Sequence, residues 1–189
     1  MTSNQMIFSI GPRLMSQQFP SLRKRLFQIE MNYLKELEFY KNNKTEVDNF
    51  FKKLKKKKPK DVDTQFHELH VEIFSEIDCL QCANCCNTTS PIFRDIDIKR
   101  ISRKLKTGTL DFEKDYLKID EEGDKVLKSS PCSFLGSDNK CFIYDCRPQA
   151  CKEYPHTDRK RMYQILNLTR RNMEICPAVS RIVQRMLQA

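Results

Sequence analysis

Cys79-Leu80-Gln81-Cys82-Ala83-Asn84-Cys85-Cys86 places four cysteines within eight residues, in a C-x2-C-x2-C-C pattern. A thiolate is a strong, soft donor, and two cysteines separated by two residues can fold back onto one ion. Five more cysteines follow, at Cys132, Cys141, Cys146, Cys151 and Cys176. Packing as small hydrophobes explains one or two of them, but not four so closely spaced. The pattern predicts a central domain that folds around zinc or an iron–sulfur centre.

The 189 residues suit one domain, or one domain with an appended helical part. Apolar residues are 39% of the chain and Trp is absent, so the core is modest and a metal would add rigidity. No run approaches the ~18 apolar residues of a spanning helix. Met6-Ile7-Phe8, the longest apolar run near the N-terminus, is too short for a signal-peptide core. These features predict a soluble, cytoplasmic protein, and in that compartment clustered cysteines are metal ligands or redox groups more often than disulfides. The odd number of cysteines agrees. The formal charge is +9. A zinc ion on four thiolates carries about −2, so two such sites would lower the balance to about +5. Basicity alone is thus weak evidence for a nucleic-acid partner.

Outward from the cysteines, the periodicity is helical. Leu22, Leu26, Ile29, Tyr33, Leu37 and Tyr40 share one face, and Asn42-Asn43 is a stop. Thr45 with Asp48 reads as a capping box for a second helix carrying Val47, Phe50, Phe51 and Leu54. Pro59 ends it. A third helix over about Thr64 to Ile77 leads into Cys79. Its His67 and His70 lie at i, i+3, which is not the metalloprotease H-E-x-x-H spacing, and they read as surface or packed residues. Beyond the cysteines, Asp95 caps a helix with Ile98, Ile101 and Leu105, stopped by Gly108, and Thr109 opens another. A turn at Glu121–Asp124 precedes a strand at Val126-Leu127. Phe134-Leu135 and Cys141–Ile143 form a small hairpin across Ser137–Lys140. Pro148 starts a helical turn containing Cys151, and a last helix follows Cys176-Pro177, with Val179, Ile182, Val183 and Met186 inward.

The run Lys52–Lys60 is a solvated helix end whose lysines complement the helix dipole. Its sharper alternative is an anion-binding interaction module for an acidic protein or other polyanion.

Cys79, Cys82 and Cys85 resemble the start of a bacterial ferredoxin motif, but the next cysteine is adjacent, at Cys86. In an extended backbone, neighbours point to opposite sides. Cys85 and Cys86 therefore face different metal positions, or both belong to one polynuclear cluster. Cys151 and Cys176 fall at helix N-termini, where the dipole and free amides favour thiolate.

The knuckle, together with Pro131-Cys-x-Phe-Leu135, Cys141-x-Ile-Tyr144, Arg147-Pro-x2-Cys151 and Tyr154-Pro155, closely resembles the YkgJ-type cysteine cluster family. That resemblance implies a zinc- or iron-chelating domain. It also implies eight metal ligands: Cys79, Cys82, Cys85, Cys86, Cys132, Cys141, Cys151 and Cys176. Cys146 falls outside the family pattern. The family includes flagellin lysine N-methylases and iron–sulfur proteins. It therefore raises an iron–sulfur redox protein or a methylase-like enzyme as alternatives to metal binding alone, although the chain has no G-x-G-x-x-G loop. Arg147 and Tyr144 are the motif's polar companions, with Arg147 either donating to thiolate sulfurs or pairing with Asp145 or Glu153.

The expected architecture is mainly α. A helical extension over residues 1–78 precedes an irregular, metal-stabilised, cysteine-rich domain over 79–177 with a short β-hairpin. A C-terminal helix over 178–189 packs on it.

Overall fold

The computed structural model describes residues 33–189. The first turns of the expected first helix lie outside them. From residue 33 the chain is helical to residue 42 (α1). Next come α2 (Lys44–Leu54), α3 (Pro59–Glu76), α4 (Cys79–Cys82), α5 (Asn84–Thr88), α6 (Asp95–Leu105) and α7 (Thr109–Tyr116). Strands β1 (Leu117–Ile119) and β2 (Lys125–Leu127) follow, then α8 (Gln149–Glu153), α9 (Leu166–Asn172) and α10 (Pro177–Gln188). The fold is mainly α, with one short antiparallel hairpin in which Leu117 faces Leu127 and Ile119 faces Lys125.

Two hydrophobic cores form. The first joins both ends of the described chain: Val47, Phe51 and Leu54 of α2, Phe66 and Ile73 of α3, Leu166, and Val179, Ile182 and Val183 of α10. All are buried, and each such side chain contributes about 1.5–3 kcal/mol on leaving water. Arg181 extends across this interface to Glu36 at 2.8 Å and Glu76 at 3.1 Å. The second core gathers Phe93, Ile98, Ile101, Phe112, Leu127, Phe134 and Ile143. There the Phe112 and Phe134 rings stack with centroids 6.1 Å apart.

Several local expectations are corrected. The Thr45–Asp48 capping box does not form: Asn43 is the N-cap and makes no side-chain cap bond. Asp48 instead pairs with Arg170 at 2.8 Å, tying α2 to α9, because a long-range ion pair competes for the same carboxylate. Pro59 opens α3, so this helix starts earlier than Thr64; proline's fixed φ suits the first helical position. Gly108 does not stop α6. Lys106 does so at φ 56°, and Gly108 caps α7. Asp95 is the first residue of α6, and the Arg94 amide donates to Asp97 at 3.2 Å. The Phe134–Ile143 hairpin shrinks to a single bridge between Leu135 and Cys141. The chain coils at Tyr144–Cys146 immediately afterwards and leaves no room for a ladder. The ladder lies instead at β1–β2, and β1 was not anticipated because three residues with a central lysine give no alternation to read. Helix α9 was likewise unanticipated.

Lys55 to Lys58 are exposed at the end of α2. Lys55 Nζ donates to Asn167 at 3.1 Å and Lys57 Nζ to Gln65 at 3.5 Å, so the observed partners of this patch are neutral amides.

Candidate metal centre

Helix α3 delivers the chain to Asp78, whose carboxylate accepts from the Leu80 amide at 2.9 Å and starts α4. Ala83 then turns left-handed, at φ 46°, with its methyl buried. This reversal joins α4 to α5 and folds Cys79, Cys82 and Cys85 toward one another. Cys85 and Cys86 sit on the helical turn of α5, not on the extended backbone that the sequence argument assumed. Their sulfurs are 4.0 Å apart, whereas successive residues on an extended strand would point to opposite sides.

Long-range hydrogen bonds bring the remaining cysteines to this knuckle. Asn84 Nδ2 donates to the Ile175 carbonyl at 2.7 Å, which draws α5 to the start of α10. Cys176 is the N-cap of α10 and is buried in the first core. On the other side, the Cys132 amide donates to the Cys86 carbonyl at 2.9 Å, and Ser130 Oγ donates to the Asn87 carbonyl at 2.8 Å. Cys132 and Cys141 pack against the second core, Cys141 held by its bridge to Leu135.

The loop carrying Cys146 to Cys151 is held by Asp97, a fully buried carboxylate. Asp97 accepts from the Gln149 amide at 3.2 Å and from Arg100 at 2.5 Å. Arg100 also donates to the carbonyls of Cys146, at 3.2 Å, and Arg147, at 2.8 Å. Sequence reasoning missed Asp97, Arg100 and Asn84. The i, i+3 spacing of Asp97 and Arg100 was visible, but it is common on helix surfaces.

The electrostatics follow burial. The Cys85 thiol is raised because it donates to Cys86, and burial adds to this; Cys176 and Cys79 raise it further. Cys86 moves the other way, to about 7, because it receives that hydrogen bond and faces Arg147. Cys151 is pushed up to about 12 by burial and by Cys86, Cys132 and Cys141. Cys176 is also pushed up to about 12 by burial, then by Cys79 and Cys82, against the opposing Val179 and Ala178 amides. This corrects the expectation that the helix N-termini keep Cys151 and Cys176 deprotonated. Loss of water outweighs the dipole of a short helix in one case and two amide donors in the other. A cation among the thiols would reverse that balance, since a coordinating thiol is deprotonated outright.

Arg147 stacks on Tyr144, its guanidinium carbon 3.8 Å from the ring centroid; its charge helps to lower Cys86 and partly opposes the rise that burial causes at Cys79, Cys141 and Cys151. The Tyr154 hydroxyl is buried and has no hydrogen-bond partner among the described residues. Burial raises its pKa first, and the sulfurs of Cys176, Cys85, Cys82 and Cys79 raise it further. An orphaned buried donor beside the cysteine cluster is a group that a loaded thiolate centre would satisfy.

In donor chemistry, the cysteines fit zinc or an iron–sulfur centre. The spacing is looser. Tetrahedral zinc with bonds of about 2.3 Å sets sulfurs about 3.8 Å apart. Among the described residues, no three cysteine sulfurs lie within 4.8 Å of one another. Holding a single ion would thus draw them together. Cys79, the first residue of α4, is exposed. His67 and His70 lie elsewhere: their ring nitrogens meet the Arg159 carbonyl at 2.9 Å and Thr157 Oγ1 at 2.8 Å. Asp120, Glu122 and Asp124 cluster in the β1–β2 turn, where Asp120 accepts from the amides of the other two. That bonding accounts for the cluster as a turn.

Residues 78–176 match the model of the CxxCxxCC family, described as "Putative zinc- or iron-chelating domain". The match covers more than half of the chain, which therefore belongs to that family. No curated protein and no solved structure matches it. No described helix is long and apolar enough to cross a membrane.

Proposed function

We propose that this CxxCxxCC protein is a metal-binding protein of the cytoplasm that holds zinc or an iron–sulfur centre through eight cysteines. The ligands are Cys79, Cys82, Cys85, Cys86, Cys132, Cys141, Cys151 and Cys176. The observation carrying this reading is convergence. Segments that carry thiols from distant parts of the sequence are drawn together by the Cys132 amide donating to the Cys86 carbonyl and by the Asn84 side chain donating to the Ile175 carbonyl. Soft sulfur donors without histidine or carboxylate suit zinc or iron–sulfur chemistry rather than magnesium or calcium.

When bound, zinc would cross-link the irregular region, and an iron–sulfur centre would also carry an electron. The chain's own residues divide the remaining work. Cys85 and Cys86, with sulfurs 4.0 Å apart, share a hydrogen bond in which one thiol stabilises the thiolate of the other. Arg147 offsets negative charge as further thiols deprotonate, and Asp97 with Arg100 holds the loop bearing Cys151 in place. The test is anaerobic purification, followed by elemental analysis and a visible spectrum. Stoichiometric zinc without colour, or iron with sulfide and visible absorption, supports the reading. A folded chain that acquires neither metal refutes it.

A further inference from the structure

The geometry points to two separate four-sulfur positions, one against each hydrophobic core: Cys79, Cys82, Cys85 and Cys176 in the first, Cys86, Cys132, Cys141 and Cys151 in the second. Each would take a thiophilic cation such as zinc, or one iron–sulfur cluster. The inference rests on the metal-binding reading above and assigns each ligand within it.

Core membership supplies the first argument. Cys176 and Tyr154 pack with the first core, Cys132 and Cys141 with the second. The short helix α5 lies between the two. Asn84 is hydrogen-bonded toward the first core, to Ile175 at 2.7 Å. The carbonyl of Cys86 is bonded toward the second, to Cys132 at 2.9 Å. Successive residues on a helix are about 100° apart around its axis. The boundary between the two positions therefore passes between Cys85 and Cys86, although their sulfurs are only 4.0 Å apart.

The elements that carry the remaining ligands divide in the same way: α4, with Cys79 and Cys82, follows directly on Ile77 of the first core, and Asp97 of α6, a helix of the second core, holds the loop carrying Cys151. Two polar groups accompany them: the partnerless hydroxyl of Tyr154, which packs against the first core, and the Arg147 guanidinium, stacked on Tyr144, whose charge acts on Cys79 as well as on Cys86, Cys141 and Cys151. An O–H donor and a cation are two ways of stabilising thiolates that carry about −2 net with a divalent ion. Cys146 is buried in the second core with Phe112 and Ile143 and belongs to neither set.

The full-length wild-type chain, loaded anaerobically with 113Cd as a sulfur-seeking probe, tests this without mutation. Two uncoupled cadmium resonances of four-sulfur type are expected. Metal counts on variants then assign each resonance. Cys176→Ser is expected to lose one equivalent and keep the other, and Cys151→Ser the reverse one. Cys146→Ser is expected to keep both. Cadmium–cadmium coupling, a single equivalent per chain, or loss of both equivalents in either ligand variant that still folds by circular dichroism would overturn the division, while leaving the metal-binding reading intact. No cadmium, zinc or iron uptake by the folded wild type would overturn both.

Discussion

Replacing Asp97 by Ala removes the acceptor that fixes α6 to the loop carrying Cys146 to Cys151. Three donors lose their partner: the Arg94 amide at 3.2 Å, the Gln149 amide at 3.2 Å and the Arg100 guanidinium at 2.5 Å. Removing one member of a fully buried ion pair costs about 3–5 kcal/mol. Here the Arg100 side chain is 34% exposed, so water recovers part of its solvation, and the two stranded amides set much of the remaining cost. The expected loss is about 2–4 kcal/mol. For a chain of this size, that corresponds to a fall in Tm of roughly 4–16 °C. Asp97→Asn keeps the acceptor oxygen that serves Arg100 and Gln149 but loses the charge and sets an NH2 donor against the Arg94 amide, so it should cost less than Ala and more than nothing. Urea titration of the metal-loaded protein reads both values, with an unchanged m-value showing that the unfolded state is unaltered. Metal release to a chelator should speed up for the set containing Cys151 and not for the set containing Cys176. An Ala variant within about 1 kcal/mol of wild type would show that Asp97 does not hold this loop.

Tyr154→Phe should keep full metal content but release metal from the first set about tenfold faster, measured with a chromophoric chelator; an unchanged rate would mean that the hydroxyl does not donate to sulfur. Acidification should strip metal progressively, because protons compete for every ligand thiol and most of these are raised by burial; metal per chain measured from pH 8 down to pH 4 checks the sign, and retention independent of pH contradicts thiolate ligation. Chelation should raise amide exchange around Phe93 to Ile143 more than in α2 and α3, which carry no cysteine. Changing Lys55 to Lys58 to Gln should leave metal content intact. If the run binds polyanions, that affinity should fall steeply with salt in the wild type and disappear in the variant.

Local pattern alone placed much of this fold. Apolar residues at three- and four-residue steps located α2, α3, α6 and α10, and all four inward positions named for α10 are buried. The C-x2-C-x2-C-C spacing identified the chemistry, because few arrangements other than a metal site need four thiols in two helical turns. Tertiary structure decided the rest. No spacing rule says that Cys132 bonds to Cys86, or that Asn84 reaches Ile175, since contacts across that much chain depend on how the cores pack. Asp97 looked like an ordinary surface carboxylate until α8 was set upon it. Helix position suggested ready thiolates at Cys151 and Cys176, yet both are raised, because the energy of a charge depends on the water that surrounding atoms exclude. That exclusion is a property of the packed molecule and has no local signature in the chain.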